Sequence, residues 1–137
     1  MEPGAGAAGG LGFGLRVFLG ARLVPGFDWF ARRSALARHL RSADLVITGE
    51  GAIDESTFMG KGTGRIAEHC RRLKIPCIGL AGQVGASVRR KHVLSRMRAL
   101  TDLTSLEQAK ARPAYWLERL AAEMAERLEH RTSNIEH

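Results

Sequence analysis

Residues 44–81 read DLVITGEGAIDESTFMGKGTGRIAEHCRRLKIPCIGLA. Two short apolar runs bound this stretch: Leu45-Val46-Ile47 near its start, and Ile75 to Ala81 at its end. Continuous apolar runs of this length read as strands buried on both faces, as in parallel sheets. Between them lie a polar, glycine-punctuated loop from Gly49 to Gly60 and a helical pattern over 64–73. Strand, loop, helix, strand is a crossover unit. Residues 44–48 and 75–81 are therefore expected to be adjacent parallel strands joined by the 64–73 helix. Ligands of such sheets bind beyond the carboxyl ends of the strands, where the loops at 48–63 and 81–87 fall.

Working outward, residues 1–14 are rich in glycine and alanine, and a short helix over 15–19 starts within that run. Pro25-Gly26 breaks the chain. An amphipathic helix is expected over 28–41, with Asp28 as N-cap and Trp29, Phe30, Leu36 and Leu40 on its apolar side. On the other flank the pattern gives a helix over 85–94, a strand over 97–100, a helical turn from Ser105, and a long helix over 113–129. Pro113 sits favourably at the start of the last. The polar residues 131–137 are expected to fray. Strands alternating with helices make this an α/β chain, a parallel sheet with covering helices in a flavodoxin- or Rossmann-like arrangement.

The chain has 137 residues, one ordinary domain at most, and is 45% apolar, as globular proteins are. No apolar run approaches the roughly twenty residues of a bilayer span. The start, Met1-Glu2-Pro3-Gly4, lacks the basic and apolar regions of a secretory signal. A cytoplasmic protein without a membrane partner is expected. Cys70 and Cys77 read as two reduced thiols, since neither a second Cys pair nor a spaced His pair completes a zinc set. The net charge is +7, with clusters at Arg32-Arg33, Arg71-Arg72 and Arg89-Arg90-Lys91. Such a chain can attract nucleic acid, acidic lipid or phosphorylated small molecules. Two clusters lie on amphipathic helices, where solvated faces are the plain reading. None contains an aromatic residue on which a base could stack, which disfavours nucleic acid.

Gly4, Gly6 and Gly9 match G-x-G-x-x-G, but a dinucleotide fingerprint follows a buried strand, and only three residues precede Gly4. Two readings of the run remain open. Its glycines, Gly6, Gly9 and Gly10 among them, either let a loop and helix pack closely or present backbone N–H groups to an anion at a helix start. The segment Thr48 to Lys61 is richer. It holds three carboxylates, three hydroxyls, a lysine and three glycines besides the intervening residues. It is not a P-loop, because Lys61 is followed by Gly62 rather than Ser or Thr. It has what phosphoryl transfer requires, which is positioning and charge neutralisation. Lys61, near a helix start, suits a phosphate. Asp54 or Glu50 suits Mg²⁺, and either could instead orient or deprotonate an acceptor hydroxyl.

The string ITGEGAIDESTFMGKG over 47–62, followed by a helix and IPCIGLAG, resembles the glycerate kinase family. The upstream GAGAAGGLGFGLRVFLGARLVPGFD resembles the same family's glycine-rich segment, in the same order. The pattern TGEGxxDxxTxxGK is carried by Thr48, Gly49, Glu50, Gly51, Asp54, Thr57, Gly60 and Lys61. Ser56 stands where many members have glutamine, and Thr63 where many have proline.

The resemblance implies an ATP- and Mg²⁺-dependent kinase of the bacterial class I type acting on D-glycerate, with the 2-hydroxyl as the favoured acceptor. It implies that Asp54 and Lys61 are catalytic. Gly6, Gly9, Gly10, Thr48, Gly49, Glu50, Gly51, Thr57 and Gly60 would bind substrate or phosphate, and Asp54 and Glu50 would hold the metal. It further implies that the chain is the C-terminal part of a two-domain fold, supplying one wall of a cleft. Residues 1–27 would be the tail of a second domain and 28–130 part of the α/β domain. The partner would be the missing N-terminal half, a homodimer is admissible, and the chain alone would have little or no activity. A non-catalytic fragment with a structural, phosphate-binding or nucleic-acid-binding role is the alternative.

Overall fold

The computed structural model describes residues 6–133, and side chains through residue 128. Gly4 and the end of the 131–137 tail lie outside the described residues. The chain forms two compact units, residues 1–36 and 37–137.

In the first unit, helix α1 spans Ala7–Leu19 and α2 spans Gly26–Arg33. Helix α1 ends at Leu19 and starts within the glycine-rich run, as expected. Three residues near its start, Ala8, Gly9 and Gly10, have φ of 51°, 66° and 89°. The expected single helix over 28–41 is broken. Ser34 turns its hydroxyl back to the Phe30 carbonyl at 2.9 Å, and Ala35 adopts φ 50°. A serine that bonds the preceding turn competes with the helix ladder, and the left-handed residue ends it. Asp28 is not the N-cap; it lies in the first turn of α2, whose N-cap is Pro25. Helix α3, Leu36–Arg41, follows the break.

The second unit holds a sheet of three parallel strands in the order β1-β2-β3: Val46–Ile53, Cys77–Val84 and Arg96–Ala99. The two runs expected to pair do so, with Val46 beside Cys77 and Thr48 beside Gly79, and α4 (Gly62–Leu73) connects them. Both strands run further than their apolar runs, so Gly49 to Ile53 is strand rather than loop. Glycines permit the extension. A Cβ on Gly49 would lie 2.3 Å from the Leu80 carbonyl oxygen, and one on Gly82 2.6 Å from that of Gly51. Pairing therefore continues to Ile53 beside Val84.

The expected helix over 85–94 is absent. That segment makes isolated turns, with Val88 N–H bonded to Gly85 and Lys91 N–H to Val88. Its apolar residues Val88 and Leu94 are both buried, but six positions apart they do not form a helical stripe. After β3, a 3₁₀ turn at Leu100–Asp102 leads to α5, Leu106–Ala111, and α6, Pro113–Ser133. The expected fraying from 131 thus meets helix as far as Ser133.

Successive strand residues face opposite sides, so Gly79 and Leu80 serve different layers. On one side a Cβ on Gly79 would press on Ile53 and Leu94. On the other, Leu80 packs against buried Leu100, Ala109 and Leu120 with Leu103 and Trp116. No helix among the described residues is long and apolar enough to cross a membrane.

Both cysteines are free and buried. Burial pushes the Cys70 thiol up and the Cys77 thiol up to about 12, with the neighbouring Cys70 adding to the latter. A folded value above the 9.0 of a free thiol gives a contribution present below pH 9 and lost as pH rises toward 12. Denaturant melts should therefore show stability falling over that window, and falling less in Cys77→Ala. Neither thiol should react with an aromatic disulfide reagent at pH 8 until the chain is unfolded. An equal decline in both proteins would remove Cys77 as the cause.

Candidate active site at the carboxyl end of the first strand

The local sequence after β1 builds a rigid turn. Asp54 caps the 3₁₀ turn Glu55–Phe58: its carboxylate accepts from the Ser56 N–H at 2.8 Å and from the Ser56 hydroxyl at 2.5 Å. In return the Thr57 hydroxyl accepts from the Asp54 N–H at 3.1 Å. Thr57 is fully buried. Gly60, at φ 110°, then reverses the chain in a conformation that side chains other than hydrogen resist. Lys61 is the N-cap of α4. The start of α4 is pressed onto the turn, since a Cβ on Gly64 would lie 2.1 Å from the Thr57 carbonyl oxygen. The Thr63 hydroxyl donates to the Gly49 carbonyl at 3.3 Å, tying the helix start to β1.

This framework gathers Glu50, Asp54 and Lys61. The Lys61 ammonium is 3.7 Å from Oε2 of Glu50 and half exposed, while Glu50 is largely covered. The other carboxylate oxygen, Oε1, is buried and has no hydrogen-bond partner among the described residues. Asp54 is exposed. The Ser56 hydroxyl, and against the opposing effect of desolvation also the Ser56 N–H, Lys61 and the Thr57 N–H, hold its carboxyl below the usual range. It is ionised at neutral pH. Of these groups Glu50 also lines a cavity of about 500 Å³, together with Thr48, Gly49, Leu80, Gly82 and Leu117.

Of the expected site residues, Thr48, Gly49, Glu50 and Gly51 lie on β1, and Asp54, Thr57, Gly60 and Lys61 on the turn and helix start that follow. Gly6, Gly9 and Gly10 belong to the first unit; a Cβ at any of them would meet open space. Sequence reasoning missed the neighbours that brace the turn. Lys91 pairs with Glu55. The Asp102 carboxylate accepts from Arg89 at 2.5 Å, from Arg98 at 3.1 Å and from the Ala99 N–H at 2.9 Å. Two of the three cationic residues in the 89–91 cluster are thus paired rather than simply solvated. Nothing in the local pattern around residue 91 points to a carboxylate at 55.

Among the described residues, no cluster of three or more His, Cys, Asp or Glu forms a metal cage. Two carboxylates with different surroundings are present instead. Mg²⁺ commonly binds through one or two carboxylates, completing its shell with water and phosphate oxygens, and Glu50 and Asp54 fit that mode. The unpartnered Glu50 oxygen and the ionised Asp54 are the observations behind the fit.

The sequence model of the glycerate kinase family matches residues 1–129. A glycerate kinase of Halalkalibacterium halodurans is 45% identical over 83 residues, 61% of this chain and 22% of its own length. The glycerate 2-kinase of Escherichia coli K12 is 37% identical over 110 residues, 78% of this chain and 29% of its own length. A crystal structure from Salmonella typhimurium LT2, assigned to glycerate kinase 2, superposes with a TM-score of 0.52 at 40% identity. It covers 70% of this chain and 24% of that one. The chain thus spans about a quarter of the length of the relatives it matches.

The Gly64 contact gives a direct test. Gly64→Ala should destabilise the chain by about 1–3 kcal/mol, because backbone must move to admit the methyl group. Gly62→Ala, where a Cβ meets open space, should be neutral or stabilising by up to about 1 kcal/mol. Equal melting temperatures for the two variants would show that α4 does not rest on the Thr57 carbonyl.

Proposed function

The chain belongs to the glycerate kinase family, and from that premise we propose that it contributes one wall of the active site of a kinase that moves the γ-phosphoryl group of ATP to the 2-hydroxyl of D-glycerate. The observation that carries this reading is the grouping of Glu50, Asp54 and Lys61 at the carboxyl end of β1, with one buried Glu50 oxygen unpartnered. A covered carboxylate with a free oxygen, such as that of Glu50 on β1, is costly in desolvation unless a ligand completes it.

Each group has a task in such a reaction. Lys61 is half exposed at the start of a twelve-residue helix, where its charge and the helix dipole act together on phosphoryl oxygens. Glu50 keeps the ammonium oriented through Oε2 and has Oε1 left for a ligand. Asp54, braced by Ser56, offers a fixed negative charge at the mouth of the site. Glu50 and Asp54 would hold Mg²⁺, which when bound offsets phosphate charge. Asp54 could instead take the proton of the acceptor hydroxyl. Thr48, Gly49 and Gly51 line or adjoin the cavity, leaving backbone room for a substrate. Thr57 and Gly60 act through the shape of the turn. In the first unit, the left-handed run at Ala8, Gly9 and Gly10 is read as a set of N–H groups for phosphate. An enzyme using ATP and a small organic acid belongs in the cytoplasm, and a single wall of the site implies low activity for the 137-residue chain alone.

The test uses the Escherichia coli glycerate 2-kinase with its matched segment replaced by this chain. Lys61→Ala should lower kcat by on the order of a hundred- to a thousandfold, with stability within about 1 kcal/mol. Asp54→Asn separates the two roles. Rescue by added Mg²⁺ marks a metal ligand; no rescue, with loss of the acidic limb of the pH–rate profile, marks a base. Normal turnover in both variants would remove this turn from the mechanism. For the 137-residue chain alone, a coupled assay should find turnover far below the roughly ten per second of an ordinary enzyme.

A further inference from the structure

We infer that a cavity between α4 and residues 92–93 is a binding site for a small phosphomonoester, held by Arg65, Arg71 and His92. The site is separate from the turn assigned to phosphoryl transfer, and the inference does not depend on the kinase reading.

Gly64, Arg65, Glu68 and Arg71 of α4 line this cavity of about 280 Å³, and Phe58, His92 and Val93 close it. It lies on the other side of the sheet from the 500 Å³ cavity. The Cys70 side chain of α4 meets that of Cys77, and Cys77 shares its face of β2 with Gly79. Leu80, on the opposite face, packs against Ala109 of α5 and Leu120 of α6. The two cavities have no lining residue in common. Arg71 stands ten residues beyond Lys61, about 15 Å along the helix axis.

Residues 64, 65, 68 and 71 follow one another at helical spacings of three and four, which puts them on one stripe of α4. The facing wall is anchored from beneath. Val88 and Leu94 are buried on either side of His92. The Ser95 N–H donates to the Cys77 carbonyl at 2.8 Å, and the Cys77 N–H donates to the Ser95 hydroxyl at 3.1 Å. His92 and Val93 are thus held in place without a helix.

The lining carries two arginines against one glutamate, and His92 adds a further charge when protonated. Glu68 is engaged by Arg65 at 3.4 Å. No carboxylate among the described residues pairs with Arg71. Arg71 thus differs from Arg89 and Lys91, each of which has an acid partner. An arginine presents a planar fork of N–H donors that matches the edge of a phosphate, and an imidazole adds one donor more. A phosphomonoester offers three oxygens to three such side chains, where a carboxylate offers two. Phe58 and Val93 give the cavity apolar wall for a carbon skeleton, and Gly64 adds no side chain to fill it. The volume falls just below the roughly 300–1,000 Å³ of sites for drug-sized ligands, so the skeleton is short.

Titration of the 137-residue chain with glycerol 3-phosphate, followed by nuclear magnetic resonance, tests the site. The amide signals of Gly64, Arg71 and Val93 should move to saturation with a Kd on the order of 1 mM or tighter. Those of Gly49 and Gly82, which line the other cavity, should stay. Arg71→Gln should weaken binding about tenfold or more and His92→Gln severalfold. Both side chains are exposed, so melting temperatures should remain within about 3 °C of the parent. Arg90→Gln removes a cation outside the cavity and should leave the Kd within about twofold. Equal weakening by Arg90→Gln and Arg71→Gln would mean diffuse attraction to a basic chain and would overturn the site. So would sulfate that binds as tightly as the ester at equal ionic strength, which is the behaviour of an adventitious ion only. Lys61→Ala separates the cavity from the turn. Signals that still move support the inference, and signals that no longer move put the ester at the turn and overturn it. None of these readings uses turnover, so the kinase reading stands or falls separately.

Discussion

The contact of Gly64 with the Thr57 carbonyl governs the geometry of the candidate site. It brings the first turn of α4 onto the backbone of the 3₁₀ turn, closer than any side chain at 64 would allow. Thr57 is fully buried beneath that contact, and its hydroxyl holds the Asp54 N–H. Thr63, one residue earlier in the helix, bonds back to Gly49 on β1. Strand, turn and helix are thereby tied by one backbone-on-backbone contact and two threonine hydroxyl bonds. Lys61 caps that same helix, so its distance from Glu50 follows from the packing rather than from the weak attraction between two partly solvated charges.

Much of this was legible in the sequence. The runs 45–47 and 75–81 pair as parallel strands because continuous apolarity reports burial on both faces, and this signal survives in a single sequence. The candidate site residues of the second unit were legible as a group, since Glu50, Asp54 and Lys61 share one short segment that runs from a strand into a helix. The strand extension through Gly49 and Gly51 was hidden. Glycine there reads as loop, and the reason for it, the approach of the Leu80 and Gly82 backbones, lies some thirty residues away. The break at Ala35 was hidden too, because the apolar spacing of Leu36 and Leu40 continues the helical period across it. At 85–94 the helical pattern was weak, and isolated turns bury Val88 and Leu94 instead. Pairings such as Lys91 with Glu55 depend on tertiary approach and leave no trace in local pattern.

The two departures from the family pattern acquire physical roles in this fold. At 63, proline would be tolerated in the first helical turn and would stiffen it. Threonine achieves a comparable restraint by a different route, a hydroxyl bond to β1. At 56, a glutamine carries its polar atoms further from the backbone than serine does. The serine hydroxyl turns inward instead and lies 2.5 Å from the Asp54 carboxylate.

That inward turn bears on what Asp54 can do. A general base works best with a pKa near the working pH, where it is both free of its proton and eager to take one. Asp54 is held in the opposite direction, chiefly by the Ser56 hydroxyl and by the N–H groups of the turn it caps. A carboxylate so committed takes a proton reluctantly but remains charged over a wide pH range. Cation binding asks for a permanent charge in a fixed place, and the cap supplies both. Glu50 differs: one oxygen faces Lys61 and the other is buried without a partner. A cation or a hydrogen-bond donor at that oxygen would relieve the cost of its burial. Between the two carboxylates, Asp54 is the one already committed to partners of its own turn, and Glu50 is the one with an oxygen still unpartnered.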